Sequence, residues 1–103
     1  MERHELGYEA IKDCYPNLIY CSISGYGRTG SQATRAAYDP VVQAESGLMA
    51  TNGSLASGPM RTGLAVTDMQ TGLYAAQSLL AALFARERGG KGQNIGIALF
   101  DVA

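Results

Sequence analysis

Asp68 is the residue whose position in the sequence most directly suggests covalent chemistry. It lies in residues 67–70 (TDMQ), where a Thr followed three residues later by a Gln has the form of a capping box at a helix start. The free N–H groups and positive dipole of a helix N-terminus favour an ionised carboxylate, and such a carboxylate can attack an activated carbonyl to form a mixed anhydride. An acid at this position is more often only a stabiliser of the first turn, so the position alone leaves both roles open.

A glycine-rich segment at residues 25–30 (GYGRTG) has the spacing G-x-G-x-x-G and directly follows a predicted strand. A dinucleotide site would also need a helix that opens at the third glycine and an acid about twenty residues further on. Residues 31–37 have no apolar helical face, and that acid is missing. We therefore expect Gly25 and Gly27 to form a tight turn with a close backbone approach, not a nucleotide cradle.

Two further side chains are candidates for ligand contacts. Tyr38 can stack on a flat ligand or donate its hydroxyl, and packing beside Pro40 is the alternative. Arg28 can present a fork of donors to a phosphate, and solvation at the surface is the alternative. No group of His, Cys or acidic residues has metal-ligand spacing, so we expect no metal.

The periodicity of apolar residues predicts the elements that position these side chains. In chain order they are a helix over 5–14, a buried strand over 18–24, a helix over 39–48, a long helix over 67–88 and a buried strand over 94–100. Asp39 is predicted to cap the second helix, with Pro40 at its first position. Leu73, Leu80 and Phe84 recur at helical spacing in the long helix.

Both predicted strands are apolar on both faces, as is typical of a parallel sheet covered by helices. The predicted fold class is therefore α/β, a parallel sheet layered with helices. Two strands cannot form a sheet that covers itself. We interpret residues 1–103 as a single, partial α/β domain, and expect it to be a fragment of a larger one.

The composition excludes several classes of protein. The chain has 103 residues, with 8 basic and 9 acidic side chains and a net charge of −1. Nucleic-acid modules normally carry a surplus of Lys and Arg, so no nucleic-acid partner is expected. Cys14 and Cys21 are too few for a disulfide scaffold, and no apolar run approaches the roughly 20 residues that span a membrane. We expect a reduced, cytoplasmic, globular protein with no membrane partner.

Several sequence blocks together resemble the family III CoA-transferases, the group that includes formyl-CoA and carnitine-CoA transferases. The blocks are residues 16–27 (PNLIYCSISGYG), 38–49 (YDPVVQAESGLM), 63–76 (GLAVTDMQTGLYAA) and 86–93 (RERGGKGQ), followed by the last strand. They cover nearly the whole chain, in order. The resemblance implies an internal part of a large Rossmann-like domain. It also implies a homodimer, because two chains are threaded through each other in this family.

The resemblance implies roles for individual residues as well. Family members move CoA between carboxylic acids, and the aspartate that attacks the acyl-CoA thioester, forming anhydride and thioester intermediates, falls on Asp68. Tyr38 matches a tyrosine that lines the CoA site in some transferases, and residues 25–30 fall on a glycine loop of the family. The predicted CoA-binding residues are Tyr38, Gly25, Gly27 and Arg28. The expected partners are an acyl-CoA and a carboxylic acid acceptor, with CoA as a substrate and no tightly bound cofactor.

Departures from the family pattern leave alternatives open. Family members are several times longer, and the N-terminal region that supplies much of the CoA site has no counterpart in this sequence. We expect a CoA-transferase fragment that is inactive in isolation. The alternatives are a non-catalytic remnant that acts as a folding or oligomerisation unit, and a protein like the α-methylacyl-CoA racemases. These racemases have a histidine where this chain has Tyr38, which disfavours racemisation.

Overall fold

The computed structural model describes residues 4–103. Its elements in chain order are α1 (Tyr8–Ile11), β1 (Tyr20–Ser24), α2 (Asp39–Glu45), α3 (Leu48–Thr51), α4 (Val66–Glu87), β2 (Asn94–Ala98) and α5 (Leu99–Val102). β1 and β2 pair in parallel, with Tyr20 opposite Asn94 and Ser24 opposite Ala98. The predicted α/β class is confirmed. The two strands are parallel neighbours, and the connection between them in sequence contains the helices α2, α3 and α4.

The strands and the first helix are shorter than the periodicity predicts. β2 ends at Ala98 and the chain turns at once into α5, where the sequence predicts a strand to residue 100. The N–H of Phe100 donates to the carbonyl oxygen of Gly25 at 3.0 Å, so this bond fixes the turn beyond the ends of both strands. The first helix covers Tyr8–Ile11 instead of residues 5–14, in keeping with its weak apolar stripe.

The helix predicted over residues 39–48 is wrong as a single element, because it breaks into α2 and α3. Gly47 lies at the break with a φ of +86°. This left-handed conformation carries no steric cost for glycine, and it cannot continue an α-helix. The N–H of Ala50 then donates to the carbonyl of Gly47 at 2.9 Å as α3 begins.

The long helix α4 packs on the rest of the chain through its small side chains. The buried residues of α4 are Thr67, Thr71, Ala75 and Ala82. The helix contacts α2, α5 and both strands. Its large apolar side chains are not buried by these contacts: they are Met69, Leu73, Tyr74, Leu80, Leu83 and Phe84, each between 38% and 66% exposed. The apolar stripe seen in the sequence is therefore the open face of α4.

The buried core of the described residues is small. Its apolar members are Val42, Ala75, Ala82 and Ala98. Ile23 of β1 is 54% exposed, so the helices do not cover both faces of the sheet. The radius of gyration is 16.8 Å, whereas a compact domain of this length has about 13 Å. Within residues 4–103 no helix is long and apolar enough to cross a membrane, and no three His, Cys, Asp or Glu side chains group as metal ligands.

Candidate functional site

The candidate site is built where the carboxyl end of β1 meets the first turns of α2 and α4. Gly25 directly follows β1, and a Cβ atom placed on it would lie 2.3 Å from the Cβ of Ala37. Only glycine allows this approach, which brings the segment before α2 against the strand end. Ligands of parallel α/β sheets bind at this edge, outside the carboxyl ends of the strands.

Asp39, the first residue of α2, is a buried carboxylate that joins α2 to α4. It is 5% exposed. Its Oδ2 accepts hydrogen bonds from the N–H of Thr67 at 2.8 Å, from the N–H of Asp68 at 3.1 Å and from the hydroxyl of Thr67. Its Oδ1 accepts a hydrogen bond from Nε2 of Gln43, one turn further along α2. The carboxylate therefore caps the N-terminus of α4 from a helix 28 residues away in sequence.

The same contacts keep Asp39 ionised. Burial acts to raise its pKa, but the hydrogen bonds from the Thr67 hydroxyl, the Asp68 N–H and the Gln43 amide together outweigh burial and lower the pKa below its ordinary value. The positive end of the α4 dipole favours the same charged form. Asp39 is therefore an anion at neutral pH despite its burial.

Gln43 extends this contact to the segment that leads into α4. Its side chain is 1% exposed. Its Oε1 accepts a hydrogen bond from the N–H of Thr62 at 2.9 Å, and its Nε2 also donates to the carbonyl of Leu64 at 3.3 Å. The pair of Asp39 and Gln43 thus holds residues 62–68 against α2.

Both sequence predictions of helix caps are wrong at this point. α2 begins at Asp39 itself, and the residue before it, Tyr38, makes no side-chain cap bond. α4 begins at Val66, so Thr67 lies inside the helix and its hydroxyl donates to Asp39 instead of accepting a bond from its own helix. The physical reason is that a distant carboxylate satisfies two N–H groups and a hydroxyl at once, which no local cap of Thr67 and Gln70 does.

The structure brings one of the predicted site residues, Asp68, into contact with Asp39. The N–H of Asp68 is bonded to it, and Tyr38 precedes it in the chain. The Asp68 side chain is exposed, and among residues 4–103 it has no hydrogen bond or ion pair. Tyr38 is 71% exposed. An open carboxylate on the first turn of a helix is an arrangement that suits attack on a bound ligand.

The glycine motif has the turn geometry that the sequence predicts. No helix opens at Gly30, since residues 31–34 form turns and the next helix begins at Asp39. Gly27 has a φ of +87°, a conformation that glycine adopts without strain. Residues 31–34 thus do not form the helix that would face a pyrophosphate in a dinucleotide fingerprint.

The position of Arg28 is given by the cavity that it lines. Arg28 lines a surface cavity of about 410 Å³ together with Tyr8 of α1 and Asn94. Asn94 is the first residue of β2, at the opposite end of the strand from Ala98. Arg28 thus lines a cavity at the end where β2 begins.

A second cluster of polar side chains, which the sequence did not predict, links the glycine loop to α2 through hydrogen bonds. Glu45 accepts hydrogen bonds from the hydroxyl of Tyr26 at 2.6 Å and from both terminal nitrogens of Arg35. The Arg35 guanidinium also lies over the Tyr26 ring, 5.0 Å from its centre. The hydrogen bonds from Tyr26 and Arg35 lower the pKa of Glu45, so its carboxylate stays charged. Arg35, a possible phosphate contact by its residue type, is engaged in this loop contact.

Comparisons with known proteins place the chain in a family. The sequence model described as CoA-transferase family III matches residues 1–103, and the chain belongs to this family. It is 46% identical over 101 residues to an acyl-CoA transferase of Fusarium pseudograminearum, covering 98% of this chain and 22% of that protein. It is 44% identical over 102 residues to the succinate–glutarate CoA-transferase of Agrobacterium fabrum, covering 99% of this chain and 26% of that protein.

A solved structure agrees with the sequence comparisons. The crystal structure of a CAIB/BAIF family protein from Brucella suis matches with a TM-score of 0.92 and 44% identity, over 98% of this chain and 27% of that one. The family resemblance inferred from the sequence blocks is therefore confirmed. The chain spans about a quarter of the length of the relatives that it matches.

Proposed function

We propose that this chain carries the nucleophile of a CoA-transferase and that the nucleophile is the carboxylate of Asp68. The observation that carries the proposal is the free, exposed side chain of Asp68 on the first turn of α4, at the sheet edge where α/β proteins bind ligands. The membership of the chain in CoA-transferase family III supports the reaction class.

The proposed reaction begins when a carboxylate oxygen of Asp68 attacks the thioester carbon of an acyl-CoA. The C–S bond breaks, the CoA thiolate leaves and an acyl–aspartyl anhydride forms. The thiolate then attacks the aspartyl carbonyl, which releases the first carboxylic acid as its carboxylate and leaves CoA as a thioester on Asp68. The carboxylate of the acceptor reverses these two steps, so that CoA leaves on the acceptor and Asp68 is regenerated. The cycle needs no oxidant, and CoA is a substrate instead of a resident cofactor.

Other predicted residues take supporting roles in this proposal. Tyr38 offers an exposed ring at the start of α2, and Gly25 allows the strand end to approach the same point. Gly27 and Arg28 belong to the same loop, with Arg28 nearer the other end of the sheet. We assign them to CoA contacts and not to bond-making steps.

A hybrid enzyme tests the assignment. The chain replaces the aligned quarter of the Agrobacterium fabrum transferase, with which it shares 44% identity, and transfer of CoA from succinyl-CoA to glutarate is measured. We expect a transferase whose activity falls by at least about a thousandfold with Asp68→Asn. Asp101→Asn is the matched control, since Asp101 is also an exposed aspartate in the first turn of a helix, and should retain activity.

The hybrid also separates the two candidate functions. Retained activity with Asp68→Asn would overturn the assignment of the nucleophile. A folded hybrid that is inactive even with Asp68 present would favour the second candidate, a non-catalytic folding or oligomerisation unit. For the isolated chain we propose no turnover, because three quarters of the length of its relatives is outside it.

The open face of α4 is the observation that favours an assembling role. Leu73, Leu80 and Phe84 are each more than 60% exposed on one helix, and apolar side chains at this spacing normally pack against another surface. We propose a homodimer, in which this face is covered.

Both cysteines are free thiols, which accords with the cytoplasm as the proposed compartment.

A further inference from the structure

The carboxylate of Asp39 is surrounded only by hydrogen-bond donors. Oδ2 receives the N–H of Thr67, the hydroxyl of Thr67 and the N–H of Asp68, and Oδ1 receives the side-chain amide of Gln43. An ionised carboxylate is the one side-chain group of this size that accepts at both oxygens and donates nothing. The surroundings therefore specify an anion at this position.

The orientation of Gln43 is fixed as well. Its Oε1 accepts from the N–H of Thr62, so its Nε2 must point to Asp39 and to the carbonyl of Leu64. Turning the amide over would bring its NH₂ group against the Thr62 N–H, two donors facing each other. Asp39 and Gln43 thus form one buried hydrogen-bond network, which links the segment before α4 to the first turn of α4.

Asp39 occupies two of the N–H groups toward which the Asp68 carboxylate would otherwise turn. Asp68 lies at the third position of α4, where the unpaired N–H groups of the first turn and the positive end of the helix dipole attract a carboxylate. Two of those N–H groups, of Thr67 and of Asp68 itself, already donate to Asp39. The Asp68 carboxylate points into solvent instead, with no partner in the described part of the chain.

We propose that Asp39 is a positioning residue for Asp68: by satisfying two first-turn N–H groups of α4, those of Thr67 and Asp68, it keeps the Asp68 carboxylate out of the helix end and free to meet a substrate. The inference rests on the proposed function, because an accessible Asp68 carboxylate matters only if Asp68 is the nucleophile. The geometry on which it depends involves only Asp39, Gln43 and the first turn of α4.

The alternative is that Asp39 stabilises the helix and has no effect on Asp68. The two roles differ in what Asp39→Asn does to the Asp68 side chain. The asparagine NH₂ cannot accept, so either Gln43 or the helix end loses its partner, and the Asp68 carboxylate turns to the vacated N–H groups. If Asp39 only stabilises the helix, Asp39→Asn should leave the accessibility of the Asp68 carboxylate unchanged when it is compared with that of another exposed aspartate.

The test measures carbodiimide-driven amidation of each aspartate in the full chain by peptide mass, with Asp101 as the internal reference. We expect Asp68 and Asp101 to react at similar rates in the unaltered chain, and the ratio of Asp68 to Asp101 to fall about threefold with Asp39→Asn. Hydrogen exchange at the N–H groups of Thr67 and Asp68 reports in parallel whether the contact with Asp39 has been lost.

A charge exchange supplies the rescue. In the chain with both Asp39→Asn and Gln43→Glu, the NH₂ of the new asparagine donates to the new glutamate, which also accepts from the Thr62 N–H, and the asparagine oxygen still accepts from α4. The 3.3 Å bond to the Leu64 carbonyl is lost and two acceptors face each other there, which costs part of the regained stability. The original ratio and amide protection should return. If Asp39→Asn alone unfolds the chain, the folded double variant with the original ratio supports the inference.

Two results overturn the inference. One is an unchanged ratio in a folded Asp39→Asn chain whose Thr67 and Asp68 N–H groups have lost protection. The other is a double variant that restores neither fold nor ratio. Neither readout involves acyl transfer, so failure here is distinct from failure of the nucleophile assignment, which the hybrid enzyme decides.

Discussion

Replacing Asp39 by alanine should destabilise the chain far more than any substitution of an exposed aspartate. The change removes the cap of α4, worth about 1 kcal/mol, and leaves the hydroxyl of the fully buried Thr67 without its acceptor, at about 1–3 kcal/mol. The amide of Gln43, 1% exposed, also loses its principal partner. Together these losses amount to about 3–5 kcal/mol, a large share of the roughly 5–15 kcal/mol that stabilises a small domain.

Urea unfolding followed by circular dichroism measures this loss. With a denaturant slope near the low end of the usual range, the midpoint of Asp39→Ala should fall by about 2 M or more. Asp68→Ala is the matched control, because it removes a carboxylate from the same helix end without removing any hydrogen bond, and should cost less than about 1 kcal/mol. Equal midpoints for the two variants would refute the assignment of Asp39 as the cap of α4.

Three further predictions concern acid, glycine positions and assembly. Because the pKa of Asp39 is lowered in the folded chain, its contribution to the free energy of unfolding is fully present above the unfolded pKa of about 3.9 and is lost as the pH falls through the folded pKa. The free energy of unfolding should therefore fall less steeply with acid in Asp39→Asn than in the unaltered chain. An equal dependence on pH in the two chains would contradict this prediction. Gly25→Ala should destabilise, because the new Cβ would lie 2.3 Å from that of Ala37, whereas Gly72→Ala has open space within α4 and should stabilise by about 1 kcal/mol; thermal melts that rank them the other way would be incompatible with this geometry. Light scattering at tens of micromolar should give the unaltered chain a molar mass above that of a monomer. The Leu80→Glu variant, changed on the open face of α4, should have a smaller molar mass. A monomer in the unaltered chain would count against the proposed dimer.

The strand and helix pattern was largely predictable because it depends on local periodicity. The two apolar runs form the parallel strands β1 and β2, and α4 begins and ends within one residue of the predicted bounds, 67–88. The break at Gly47 was missed, since a lone glycine in a helical pattern signals a break only when its neighbours fix a positive φ. Asp68 was a candidate from its place near a predicted helix start, and its role as the nucleophile is what the family resemblance implies.

The role of Asp39 was the part that the sequence could not show. In sequence it precedes Pro40 and has the form of a local cap, and the only hint of another role is a Gln four residues later on the same helix face. Its actual partners are the N–H groups of a helix 28 residues away, and they come within reach only after the chain has crossed over the sheet.

The sequence by itself determined the family, the α/β class and the identity of the candidate nucleophile, because these follow from short blocks of residues and their spacing. Tertiary structure decided which groups satisfy the start of α4 and which face of α4 is open. Hydrogen-bond partners and burial depend on what long-range folding brings nearby: the small side chains of α4, such as Thr71 and Ala75, pack inward, and its large apolar side chains, such as Leu80, remain outside.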